Sequence, residues 1–356
     1  MTAATGRPAV PSGGSGRGVD ATASTGGSSL GAPSDERARA LAAALVAALR
    51  SGDEARFARG FTAGPMAALG ARLWRNWRAM PVADIVAAGP ELEVRWASPG
   101  EAVPAGERLA VLVASDGAIG ALRGKGVTPL WLGDEVTFTP GVRGGTLAST
   151  RVPRDVVAGW SSAADRAARH VSARLDAPGW DGALSLVLPA DAAAMARATG
   201  RPLEEAAGTA ATTVASSSGP PRIVVNVTSV RPDARAGLLA HEGVHVATRS
   251  AGSPAPLWAV EGLAESVGTE LDRAQSARNA ELVRRRVSRG VPAALPTPEE
   301  LAAPGVDGET AYALAEVAVE ALIARDGRAA TLAWIAEPTR RPEPRDPLGA
   351  YRAALG

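Results

Sequence analysis

Three residues in one short stretch have the types and spacing for metal-assisted hydrolysis. In Leu239-Ala240-His241-Glu242-Gly243-Val244-His245-Val246, two imidazoles stand four positions apart, with a carboxylate directly after the first. An α-helix turns about 100° per residue, so positions i and i+4 lie one above the other on the same face. His241 and His245 can then aim two imidazoles at one ion. Glu242 is angled to one side, able to touch a water on that ion without ligating it, which is the place of a general base. The chain has only three histidines, and two of them fall here.

Two histidines do not complete a catalytic zinc site, which usually has three protein ligands and one position open to water. A third histidine at the spacing His-Glu-x-x-His-x-x-Gly-x-x-His is missing, because Thr248, Gly252 and their neighbours do not fit it. The chain has no cysteine, which excludes thiolate ligands and disulfides. A downstream carboxylate is needed, and Pro256-Leu257-Trp258-Ala259-Val260-Glu261-Gly262-Leu263-Ala264-Glu265 supplies two.

Trp258 to Glu265 reads Trp-x-x-Glu-Gly-x-Ala-Glu. Together with His241 to His245 it resembles the paired motifs of the glutamate-type zincins (gluzincins), in particular the peptidase MA-like bacterial proteins. The resemblance covers the chain from about Ala183 onward. It implies one Zn2+ ion held by His241, His245 and Glu261. It also implies that Glu265, one turn after Glu261, accepts a hydrogen bond from the other ring nitrogen of a ligand histidine. Gly262 is expected to let the two motif helices pack closely. In the family the strand before the metal helix is a sheet edge lining the cleft. That would place Val224, Val225 and Asn226 beside an extended substrate, with an ordinary core strand as the other reading. Some gluzincins steady the oxyanion with a tyrosine on a C-terminal helix. Tyr312 is the better placed of the two tyrosines, with packing as its other reading.

The elements that must position these residues follow from patterning. Residues 1–33 are rich in Gly, Ser, Thr and Ala and are expected to be a disordered tail. Helices are expected from Ser34 to Arg50, through Phe57 and Phe61, and near Met66 to Trp77. Strand-like runs follow at Leu92–Trp96, Arg108–Ala114 and Leu130–Phe138. This order predicts an α+β accessory domain over 34–150, similar in order of elements to nuclear transport factor 2-like domains. Arg154 to Ala173 is expected to be a connecting helix within 151–182. It carries the third histidine, His170, which is read as a surface or packing residue. A zincin-like domain over 183–356 is expected to be mostly helical after a small sheet. Its strands are Ala183–Leu188, Ala211–Ala215 and Arg222–Val227, and its helices include Asp191–Thr199 and one starting near Ala234. The helix carrying Glu265 is expected to continue through Leu271 towards Arg289, with Arg284-Arg285-Arg286 as a solvated basic face. Helices over Glu309–Arg325, Thr331–Ala336 and Leu348–Leu355 complete the chain, with Glu337 to Arg345 an irregular connection.

A formal net charge of +1 offers no electrostatic case for nucleic acid or an anionic membrane surface. The longest apolar run, Leu41 to Leu49, is far short of the ~20 residues of a membrane span. It follows Asp35 and Glu36, which is wrong for a signal peptide. The expectation is a cytoplasmic protein, or an exported one whose signal lies outside this sequence. The combined expectation is a zinc metallopeptidase acting on peptides or proteins, with Glu242 as base. The alternative is a zinc-binding module without turnover, whose N-terminal half carries a binding role. Oligomeric state is not readable.

Overall fold

In the computed structural model the described residues are 35–88, 91–177, 179–250, 253–336, 344 and 346–356. The expected tail over 1–33, and most of the expected irregular connection over 337–345, lie outside them.

Three helices open the fold: α1 (Asp35–Ser51), α2 (Glu54–Ala58) and α3 (Pro65–Ala79). Their ends follow local chemistry. Gly52 takes φ +70°, the Asp53 side chain caps α2 by accepting from the Arg56 N–H at 2.8 Å, and Pro65 opens α3. Phe57 packs against Phe61, Trp74 and Trp77, so much of the chain's small aromatic content knits these helices together. A four-stranded antiparallel sheet follows in chain order: β1 (Val82–Ala88), β2 (Glu91–Trp96), β3 (Ala105–Val113) and β4 (Ile119–Gly124).

The next elements depart from expectation. The run Leu130–Phe138 is not one strand. A helical turn, α4 (Leu130–Gly133), precedes β5 (Val136–Pro140) and β6 (Gly144–Ser149). These two strands leave the first sheet and enter a second, mixed one with β7 (Leu184–Leu188), β8 (Ala211–Val214) and β9 (Arg222–Val225), in the order β5-β6-β7-β9-β8. The division between sheets therefore falls ahead of Val136, earlier in the chain than the expected domain boundary at 150. Helix α5 (Arg154–Arg174) is not a bridge between halves either. It is the crossover that parallel strands β6 and β7 require, and it lies in the core against them.

The second sheet is buried on both faces. Leu184, Leu186 and Leu188 point into one core, with α5 and the metal-motif helices. Val187, Leu147 and Val224 point into another, shared with the N-terminal helices and sheet. Alternation along a strand sends neighbours to opposite cores. This explains why β9 reads as a continuous apolar run: it is a central strand, flanked by β7 and β8. The expectation of a cleft-lining edge at Val224, Val225 and Asn226 is corrected. Val224 and Val225 are core residues, and the edge strand is β8.

Helices α6 (Ala192–Thr199) and α7 (Leu203–Gly208) precede β8, and after β9 the remaining described elements are all helical. They are α8 (Arg235–Thr248), α9 (Leu257–Thr269), α10 (Arg273–Val287), α11 (Pro298–Leu301), α12 (Val306–Asp326), α13 (Arg328–Ala336) and α14 (Pro347–Leu355). Helices α8 and α9 are buried almost all round, as their apolar composition requires. They meet at glycines: a Cβ on Gly237 would lie 2.9 Å from the Gly268 carbonyl oxygen, and one on Gly268 would lie 3.1 Å from the His241 Cβ. Gly262 serves a different contact from the one expected. It faces the Ala315 carbonyl of α12, so it seats α9 on α12 and not on α8. The expected continuous helix beyond Glu265 is broken. The Asp272 side chain accepts from the Gln275 N–H at 3.0 Å and restarts the chain as α10. Among the described residues no helix is long and apolar enough to cross a membrane.

Gly262→Ala should destabilise the fold by about 1–3 kcal/mol, the usual cost of overpacking a filled contact. Gly208→Ala, where a Cβ meets nothing within 4 Å, should be neutral or mildly stabilising. Urea unfolding of both variants checks the difference.

Candidate metal centre

Helix α8 is pinned from behind and presents its histidines forward. Gly243 lies about 200° around the helix from His241. A Cβ there would lie 3.1 Å from Val171 of α5 and 3.2 Å from Leu184 of β7. This close approach presses the back of α8 onto the sheet and its crossover helix. On the other side, His241 and His245 meet edge to face with ring centroids 5.0 Å apart, and their Nε2 atoms stand 3.3 Å from each other.

Helix α9 brings Glu261 to the same point. Its Oε2 lies 3.4 Å from His241 Nε2 and 3.4 Å from His245 Nε2, without hydrogen-bond geometry to either. The three donor atoms thus form a nearly equilateral triangle. His241 is 3% exposed, Glu261 2% and His245 9%, so the triangle is withdrawn from bulk water. His241, His245 and Glu261 form a buried group that can hold a metal ion.

Each histidine is held from its far nitrogen. His241 Nδ1 lies 3.3 Å from Glu265 Oε2, and His245 Nδ1 lies 2.9 Å from Ser250 Oγ. With Nδ1–H donating outward, each ring turns the lone pair of Nε2 to the centre. Ser250 reaches His245 because Arg249 ends α8 in a left-handed conformation (φ +51°), which folds the chain back. That turn falls on an arginine rather than a glycine, and sequence patterning gave no sign of it.

The electrostatics of the centre favour positive charge. Burial alone would lower the pKa of His241, but its interactions with Glu261 and Glu265 outweigh that and lift it to about 10. Burial alone would raise the Glu261 carboxyl. The charge of His245 and the contacts with both imidazoles outweigh this and hold it well below the usual carboxylate range.

Glu242, 1% exposed, points differently from the ligand set. The Thr213 hydroxyl donates to its Oε2 at 2.6 Å, while its Oε1 is buried with no hydrogen-bond partner. Thr213 belongs to the edge strand β8 and was missed by sequence reasoning. Its only signal was membership of a short run with strand character. Tyr312 of α12 is buried, with its ring centroid 6.2 Å from that of His241. His170 is remote in role. It pairs with Glu270 at 3.3 Å, beside Arg174, which bonds the same carboxylate. Arg284 and Arg285 pair with Glu281 on the exposed side of α10. Val224, Val225 and Asn226 are not part of the centre.

No protein-family model matches this chain, and comparison with curated proteins and with solved structures finds no similar one.

Ser250→Ala should weaken divalent-metal binding by about 10-fold, the lower end of the effect of removing a partner that orients a ligand. Glu261→Gln should cost more, because it removes a charged donor from the triangle. Competition titrations against a chromogenic chelator measure both.

Proposed function

We propose that this protein is a zinc-dependent peptidase of the glutamate-liganded kind, with zinc held by His241, His245 and Glu261. The observation that carries the reading is the donor triangle. Ligands of a tetrahedral zinc at about 2.0–2.1 Å stand about 3.3–3.4 Å from one another. The three separations here are 3.3, 3.4 and 3.4 Å. Two imidazoles and one carboxylate disfavour calcium and magnesium, which take oxygen donors, and suit zinc. Zinc bound there would supply Lewis acidity, making water acidic enough to attack a carbonyl near neutral pH.

The chain's own residues supply the rest. Glu242 is the proton carrier: Thr213 fixes Oε2, leaving Oε1 as the atom that takes a proton from the attacking water and returns it to the leaving amine. Tyr312 steadies the ring of His241 by packing. Strand β8 has no strand partner on its outer edge among the described residues. Its position beside Glu242 suits an extended peptide adding to the sheet by backbone hydrogen bonds. The N-terminal helices and four-stranded sheet, similar in element order to nuclear transport factor 2-like domains, pack on the reverse face of the second sheet and serve as an accessory module.

The depth of the centre favours a second reading, a structural metal site without turnover, since closed sites are the structural kind. Cleavage of casein or a peptide library decides between them. Glu242→Gln should keep zinc and lose about 10²–10⁴-fold in rate, the usual contribution of a general base. Thr213→Val should lose about 10–100-fold, matching the ~1.5–3 kcal/mol of a hydrogen bond to a charged group. Stoichiometric zinc with no Glu242-dependent cleavage would establish the structural reading instead.

A further inference from the structure

Helix α10 is a polar surface helix by composition, and only Asn279 and Leu282 on it are buried. Leu282 is ordinary packing. Asn279, at 3% exposure, is not, because a buried amide costs stability unless its hydrogen bonds are made. Its bonds lead to the metal centre. Asn279 Nδ2 donates to Glu265 Oε1 at 2.8 Å, and Glu265 Oε2 lies 3.3 Å from His241 Nδ1. The same Nδ2 donates to Glu316 Oε2 of α12 at 2.7 Å.

The orientation of the amide is determined by its neighbours. Gln275 Nε2 donates to Asn279 Oδ1 at 2.8 Å, so the oxygen faces Gln275 and the NH2 group faces the two carboxylates. Glu316 is itself fixed by the Thr269 hydroxyl, which donates to Oε1 at 2.7 Å. One neutral amide therefore bridges two carboxylates from α9 and α12. A straight helix from Glu265 to Asn279 would hold them about 21 Å apart. The break capped by Asp272 folds α10 back and reduces the distance to one hydrogen bond.

We propose that Asn279 is a positioning residue for the metal centre: by holding Glu265 it keeps His241 Nδ1 protonated and His241 Nε2 turned toward the ion. This rests on the zinc reading above. Burial raises the Glu316 carboxyl, and the charges of Glu265 and Glu320 add to that, against the bonds from Thr269 and Asn279.

The test is zinc affinity in the full chain, measured by chelator competition, beside the imidazole nitrogen NMR spectrum. With three histidines in the chain, that spectrum is small enough to assign. Asn279→Asp keeps the shape, removes the donor and sets a third carboxylate among the others. It should lower zinc affinity about 10–100-fold and speed exchange of the His241 Nδ1 proton, and the added buried carboxylate should also lower the melting temperature of the metal-free form. Gln275→Ala, which frees the amide to turn and removes the longer 3.5 Å bond from Gln275 to Glu265 Oε1, should shift both readouts the same way by a smaller amount. Glu316→Gln should leave zinc affinity near that of wild type. If Asn279→Asp and Gln275→Ala bind zinc as wild type does and keep the slow Nδ1 proton, the positioning role is overturned while the metal site stands. If the wild-type protein binds no zinc, the metal reading falls and this role falls with it.

Discussion

Three buried atoms of metal-ligating type face one another within 3.4 Å: His241 Nε2, His245 Nε2 and Glu261 Oε2. Such a convergence is unfavourable without a positive charge at its centre. Much of the surrounding structure makes it tolerable. Glycines at 237, 243 and 268 let α8 approach the sheet and α9 closely enough for the side chains to converge. Glu265 and Ser250 hold the outer ring nitrogens, so neither ring can relieve the crowding by turning away. Glu242 is tied aside by Thr213 and does not join the set.

The layers behind the centre act as a brace. The second sheet is apolar on both faces, with the metal helices on one and the N-terminal module on the other. At the join between the sheet and that module lies a buried ion pair, Arg222 with Glu101, with the guanidinium stacked over Trp96 at 3.9 Å. A charged side chain on central strand β9 is in this way paired across the join between the two sheets. Buried pairs of this kind serve alignment better than stability.

The site was legible in the sequence to the extent that it is local. Residues four apart on one helix pointed to His241 and His245, while Glu261 and Glu265 came from the resemblance of the stretch Trp258 to Glu265 to a known motif. Helix ends were legible where a side chain writes them, as with Asp191 and Gly200 around α6. Three things were not legible. The division between sheets depends on β6 choosing β7 as partner, a pairing across the whole of α5. The identity of the edge strand was misplaced, although the unbroken apolar run of β9 already carried the sign of a strand buried on both faces. The contacts of Thr213, Ser250 and Asn279 with the centre come from tertiary placement. Nothing in a lone threonine, serine or asparagine marks it in advance. The break after α9 has no glycine or proline, and only Asp272 as a cap announces it.

The two-faced sheet gives the halves a shared apolar core. Removing everything before Ala183 would take away β5, β6 and α5, and with them the support behind α8. Removing only the N-terminal helices and first sheet would lay bare Leu147, Val187 and Val224, an apolar surface on strands that already have an open edge at β8. Any ion that binds the native centre must therefore also stabilise distant residues it never touches, because ligand binding to the folded state draws the whole unit with it.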